Sequence, residues 1–205
     1  MSSPRDYRPN SYNFPSLPFL LAAERVLCPV LGSHVYVGGA CVGFYVDDPG
    51  AAEIRPTEDV DVVVRIASEL ERVQLDESLR KAGLANDIEG PIGRWLLNGL
   101  KIDVMPSDSE VLGFSNCWYP DALESAIAIP IDDLTIAIPN VCTFIATKIE
   151  AFIGRGGNDF IGSSDFEDIA RVLDGCSYLG MGASLASIDV RQFVGATLRE
   201  WRRQR

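Results

Sequence analysis

The chain has 205 residues, 47% of them hydrophobic and 23% charged, with a formal net charge of −11. That length suits one globular domain with a real core, or a small catalytic domain carrying a helical appendage. The acidic balance excludes capture of polyanions by the overall field, and no apolar run is long enough for a transmembrane helix, which takes about 18 residues or more.

In chain order, Met1 to Asn13 reads as a loose polar arm. The polar, proline-rich start as far as Pro18 has neither the basic opening nor the apolar core of a signal peptide. Pro15 to Leu31 places Leu17, Leu20, Leu21, Val26 and Leu27 at helical spacing. Val35-Tyr36-Val37 is a short apolar strand stopped by Gly38-Gly39, and Ala40 to Tyr45 is predicted to open a helix there. Acids, prolines and a glycine make Asp47 to Pro56 a loop. Asp59 to Arg65 alternates acid and valine, the pattern of a strand with one polar face. Ser68 to Ala82 is an amphipathic helix with Ser68 as its N-cap. Ile88 to Pro106 reads as two strands joined at Asn98-Gly99, a strong hairpin signal. Leu134 to Ile138 is a further strand, ended by Pro139. Beyond it, Asn140–Ile153, Ser164–Leu173 and Val190–Arg203 read as helices, with a glycine-rich loop from Gly154 to Ser163. The expected organisation is an α/β core over residues 14–139 and a helical part over 140–205.

Five scattered cysteines (Cys28, Cys41, Cys117, Cys142, Cys176), with no C-x-x-C pair, point to reduced thiols in a cytoplasm. A single histidine, His34, counts against zinc. The one basic cluster, Arg199, Arg202, Arg203 and Arg205, reads first as a helix end complementing its dipole.

The chemistry concentrates in three carboxylates. In a strand, residues i and i+2 share a face, so Asp59 and Asp61 stand side by side while Val60, Val62 and Val64 face a core. Adjacent like charges repel unless a cation lies between them, and a hard divalent ion takes oxygen ligands of this kind. Lys101-Ile102-Asp103-Val104-Met105 alternates likewise. If its strand adjoins that of Asp59, three carboxylates converge. Such a set holds two metals roughly 3.5–4 Å apart in sites for in-line phosphoryl displacement. Asp103 is then the general-base candidate. Gly38-Gly39, after a strand and before a helix, would let backbone approach a phosphate. Alone, Asp-Val-Asp reads as a solvent-facing strand edge and Gly-Gly as a turn; the ordered set argues for more.

That set resembles a known superfamily. Val37-Gly38-Gly39, then Arg55-x-Thr57-x-Asp59-Val-Asp61, then Lys101-Ile-Asp103-Val, looks like the nucleotidyltransferases related to DNA polymerase beta. The stretch from Thr147-Lys148 through Arg155 to Asp159, followed by Asp165 and Asp168, is similar to the AbiEii/MenT-type toxin nucleotidyltransferases and their small relatives. The resemblance spans about Tyr36 to Asp174, on the order of two thirds of the chain. It implies an α/β (α+β), polymerase-beta-like mixed sheet with flanking helices and a C-terminal helical part. It implies transfer of a nucleoside monophosphate from an NTP, with release of diphosphate. Mg2+ is the implied cofactor, as one ion or two, with Mn2+ as a substitute. It assigns metal binding to Asp59, Asp61 and Asp103, and nucleotide binding to Gly38, Gly39, Arg55, Lys148, Arg155 and Asp168, with Asp165 the alternative to Asp168. For a toxin, the acceptor would be tRNA and an antitoxin would be a partner; no membrane is implied.

Two departures stand out: Ala40 occupies the place of the usual serine after Gly-Gly, and the gap from Gly39 to Asp59 is longer than the common pattern.

Plainer readings stand beside these. Lys148, on an apolar helix, would ordinarily snorkel to the surface, and Arg155 would complement a helix C-terminus. Asp165 reads as a helix-start acid and Asp168 as a solvent residue. Arg55 would pair with Asp59 or Asp61, or hold the triphosphate, and Thr57 is a turn residue. His34 reads as a strand-start histidine, and Asn116, Trp118 and Tyr119 as packing or as a base platform. At the level of function, the rivals to tRNA modification are a transferase for a small molecule or protein, a catalytically weak or inactive nucleotide-binding or interaction module, and a structural α/β protein with merely solvated acids.

Overall fold

The computed structural model describes residues 12–108, 116–155 and 159–203. Most of the predicted N-terminal arm, the middle of the glycine-rich loop and Arg205 lie outside them. The chain forms helix α1 (Leu17–Leu27), strand β1 (His34–Val37), a 3-10 turn (Gly39–Phe44), β2 (Asp59–Val64), α2 (Glu69–Lys81), β3 (Ala85–Asn86), β4 (Arg94–Leu97) and β5 (Leu100–Pro106). There follow α3 (Tyr119–Glu124), β6 (Ile127–Ile131), β7 (Leu134–Ile138), α4 (Val141–Gly154), α5 (Ser164–Gly175), α6 (Leu179–Leu185) and α7 (Ile188–Arg203). No helix among the described residues is long and apolar enough to cross a membrane.

The fold is mixed α/β. Five strands form one sheet in the order β1-β2-β5-β4-β3, and β6 and β7 form a separate hairpin. Only β2 and β5 run parallel; β1/β2, β4/β5 and β3/β4 are antiparallel. A parallel pair needs a crossover connection, and α2 with β3 and β4 supplies it. The helix starts follow local chemistry. Ser68 Oγ accepts the Glu71 amide while Glu71 Oε2 accepts the amide of Ala67, a reciprocal cap. Asn140 caps α4 through the Thr143 amide, and Ser163 caps α5 through that of Phe166.

Valine alternation sorts the two faces of the sheet. Val60, Val62, Val64, Ile102, Val104 and Trp95 join the main core, where they meet Leu20 and Leu27 of α1 and Phe144 and Ile149 of α4. Val190 and Val194 of α7 belong to the same cluster, so residues on both sides of Pro139 share one core. On the opposite face, Val35, Val37 and Val63 pack under Ala122 and Leu123 of α3. That short helix covers part of the face, and its first residue, Tyr119, reaches the acid-bearing part.

The structure revises several local expectations. The helix expected after Gly38-Gly39 is present as a 3-10 helix over Gly39–Phe44. The first strand of the predicted Ile88–Pro106 hairpin begins only at Arg94. Before it, Asp87 Oδ1 collects the amides of Glu89 and Gly90, Pro91 has no N–H to give a ladder, and Gly93 has φ 89°. The turn itself is as expected, with Asn98 at φ 50° and Gly99 at φ 89°. Strand β6 was not anticipated, because Pro130 argues against a strand; in a two-stranded hairpin its missing N–H is tolerated at an edge. Helix α6 was hidden by Gly180 and Gly182. Packing demands the second: a Cβ on Gly182 would come within 2.2 Å of Val141 Cγ1.

Candidate active site

The parallel register sets Asp61 directly beside Asp103, and Asp59 beside Lys101. All four side chains leave the same face of the sheet, since paired residues and alternate residues share a face. The expected adjacency of the two acid-bearing strands is therefore present. Asp61 and Asp103 line a cleft of about 310 Å³, together with Gly38, Arg94, Asn116, Tyr119, Thr147, Lys148, Arg155 and Asp165.

Gly38 is required where it stands. Its φ of 73° with ψ of −172° is a region essentially reserved for glycine. A Cβ there would lie 1.8 Å from Asp61 Oδ2. The glycine thus lets the end of β1 pass against the Asp61 carboxylate. Gly39 plays another part: its missing Cβ would approach Asp168 Oδ2 to 3.3 Å.

Asp61 carries the electrostatic cost of the cluster. Burial raises its pKa first; Lys148 lowers it, Asp103 and Asp59 raise it, and the balance stands at about 6. Burial disfavours the charged form, and the neighbouring carboxylates add to that more weakly.

One functional candidate escaped the sequence reading. Arg94, opposite Asp103 across β4/β5, grips that carboxylate with a fork: Nε to Oδ1 at 2.7 Å and Nη2 to Oδ2 at 2.8 Å. The same Nη2 reaches Asp59 Oδ2 at 3.3 Å. A signal existed in the chain. A two-residue turn at Asn98-Gly99 puts Leu97 opposite Leu100, and moving three places away from the turn on each strand brings Arg94 opposite Asp103. Among the described residues, no group of three or more His, Cys, Asp or Glu side chains is arranged to hold a metal ion.

Lys148 is buried rather than snorkelling. Its Nζ lies 3.1 Å from Asp165 Oδ1 and 2.7 Å from Asp168 Oδ2. Burial would lower its pKa, but Asp168 and Asp165 outweigh that and raise it, so the ammonium stays charged. Both acids are buried, which corrects the reading of Asp168 as a solvent residue. Arg155 also pairs with Asp165 while 71% of its side chain stays exposed, at the rim of the cleft. Arg55 does not pair with Asp59 or Asp61. It lies 3.4 Å from Glu167 and 4.0 Å from Asp168, and neither it nor Asp168 lines the cleft.

The remaining candidates are mostly structural. Thr57 Oγ1 accepts the Asp59 amide at 3.4 Å, as a turn residue does. Trp118 packs against Phe193 of α7, with ring centroids 4.9 Å apart. Asn116 Nδ2 donates to the Thr147 carbonyl at 2.7 Å, tying the wall of the cleft to α4. The Tyr119 hydroxyl donates to Met105 Sδ. His34 belongs to a closed cluster at the far end of β1. Its Nε2 meets Glu24 Oε2 at 2.9 Å, its Nδ1 meets the Gly32 carbonyl at 2.9 Å, and the Tyr36 hydroxyl donates to the same Glu24 oxygen at 2.8 Å.

No protein-family model matches the chain, and no curated protein matches it.

Proposed function

We propose that this chain is a divalent-cation-dependent nucleotidyltransferase with a polymerase-beta-like core. It moves a nucleoside monophosphate from an NTP to an acceptor hydroxyl. The observation that carries this reading is the register of Asp61 against Asp103 on parallel strands, with Gly38 moulded against Asp61.

In its chemistry, though not in its present arrangement with Arg94 across Asp103, the donor set suits a hard cation. Asp59, Asp61 and Asp103 offer only carboxylate oxygens from one face, and burial, with Asp103 and Asp59 adding to it, raises the pKa of Asp61, a cost that a divalent ion would offset. Magnesium, or manganese in its place, would be held by these three and would supply charge neutralisation for the triphosphate and acidification of the acceptor hydroxyl. The chain's own groups do the rest. Arg155, exposed at the rim, is placed to contact the triphosphate. Lys148 acts from behind, holding Asp165 and Asp168 in place. Asp103 is the acceptor for the hydroxyl proton once its fork with Arg94 is released. The hydroxyl oxygen bonds to the α-phosphorus, the bond to the bridging oxygen of the β-phosphate breaks, and diphosphate leaves.

A nucleotide-binding module without turnover is the second reading. It is favoured by Arg94, which already neutralises Asp103. Incubation with each labelled NTP, magnesium and, in turn, total RNA, a metabolite extract and the protein itself tests both. Label transferred by the wild type and lost in Asp61→Asn supports transfer and names the acceptor class. NTP binding by calorimetry with no label in any fraction supports the module.

A further inference from the structure

Arg94 has no place in the constellation read from the sequence, yet it makes the closest contacts in the acid cluster. Its fork engages both oxygens of Asp103, at 2.7 and 2.8 Å, and its Nη2 bridges to Asp59. A bidentate guanidinium–carboxylate pair is among the strongest charge-assisted contacts a protein makes. The other cations of the cleft are committed elsewhere: Lys148 to Asp165 and Asp168, Arg155 to Asp165. Arg94 is thus the charge that balances Asp59 and Asp103.

We infer that Arg94 is the resident counter-ion of the acid site and that a divalent cation loads by displacing it from Asp103 and Asp59. The inference rests on the reading of these acids as metal ligands. Its basis is steric and electrostatic. Magnesium coordinates oxygen at roughly 2.0–2.1 Å, and a guanidinium seated across both oxygens of Asp103 occupies the approach to them. The fork also cancels much of the negative charge that would draw the ion in. Arg94 lines the cleft together with Pro91 and Ile92, and with 17% of its side chain exposed it is mostly covered there, so release must swing the guanidinium out into the cleft. The predicted consequence is a site that holds metal weakly when no nucleotide is present to accept the freed guanidinium.

The test is a Mn2+ titration of the full-length protein, without nucleotide, reading free Mn2+ by electron paramagnetic resonance. Arg94→Gln is expected to bind Mn2+ about tenfold or more tightly than the wild type, because one competing unit charge is gone. Arg94→Lys keeps a charge but loses the fork, and its affinity should fall between the two. It carries the test if the glutamine variant does not fold. A thermal melt adds a second readout: Arg94→Gln should be less stable than the wild type in chelator and gain more from Mn2+. Adding Asp61→Asn to Arg94→Gln should abolish the tight binding, which locates it at this site. If the wild type binds Mn2+ through Asp61 and neither Arg94 variant binds it more tightly, the counter-ion role is overturned while the metal reading stands. If no variant binds Mn2+, both fall.

Discussion

Strand β1 carries polar chemistry at both of its ends, and the two ends are built to different rules. At the His34 end, Glu24, His34 and Tyr36 satisfy one another, with Gly32 taking the last ring nitrogen. Every partner comes from within twelve residues, and Glu24, supplied by α1, and Tyr36 are buried. At the Gly38 end, Asp61 and Asp103 line a cleft with Asp59 on the same face of the sheet, and the charge balance of Asp59 and Asp103 depends on an arginine from a third strand. The first cluster is closed and needs nothing from outside. The second is held together by a contact that a stronger cation could replace. A buried polar group that is fully paired stabilises, whereas one left partly paired in a cleft is poised for a ligand.

The largest expected effect probes the boundary between the two kinds of cluster. Lys148 lines the cleft, yet it is buried and doubly paired. Lys148→Met would leave Asp165 and Asp168 buried beside only partial partners. It should cost about 3–5 kcal/mol in denaturant-induced unfolding, the range for breaking a buried pair by removing one partner. A loss under about 1 kcal/mol would show that the pair is solvated and belongs to the open kind.

Asp61→Asn should separate the ends most sharply by function. Nucleotide transfer should fall by about 10³-fold, within the range for losing a group that acts at the reacting centre, while the melting temperature holds or rises because a repelling charge is gone. Parallel loss of stability and activity would make Asp61 a structural residue like Glu24.

Gly38→Ala should cost about 1–3 kcal/mol for the backbone conformation alone. The added Cβ must also push the Asp61 carboxylate aside, so activity should fall further than unfolding alone explains. Equal losses at Gly38 and at Gly83, where a Cβ meets nothing, would remove the special role of the first.

The smallest effect belongs to the closed end. Burial lowers the pKa of His34, but the Glu24 hydrogen bond, the Gly32 carbonyl and the Glu24 charge outweigh it, and the net shift is upward from 6.5. A raised folded-state pKa stabilises fully below the unfolded value and loses that stabilisation as pH rises through the folded value. Wild type should therefore exceed His34→Gln in stability most at pH below about 6.5, the unfolded value, and the gap should narrow on the alkaline side. A gap that widens with pH would mean the ring is neutral in the folded state.

Much of this molecule is local and therefore legible along the chain. Alternation alone gathers Asp59 with Asp61 and sends Val60 and Val62 to the other face, because successive side chains of a strand point opposite ways. Ser68, Asn140 and the Asn98-Gly99 pair act within three or four residues of themselves. Their caps and turn are where the sequence places them. Other features depend on groups far apart in the chain. That Asp61 meets Asp103 follows from a parallel pairing made across α2, β3 and β4. That Lys148 is buried follows from α5 delivering Asp165 and Asp168 to it. A lysine on an apolar helix reads as a surface residue until two acids seventeen and twenty positions away supply its counter-charge. Arg94 lies between these cases, since a two-residue turn sets its register but only the sheet shows that its guanidinium fills the space between Asp59 and Asp103. Sequence by itself determined which residues of a strand share a face and where the Ser68-capped helix and the Asn98-Gly99 turn fall, because those are short-range steric and hydrogen-bonding preferences. The tertiary structure alone decided which charges neutralise which, because electrostatic partners are chosen by distance in space and by burial, not by separation along the chain.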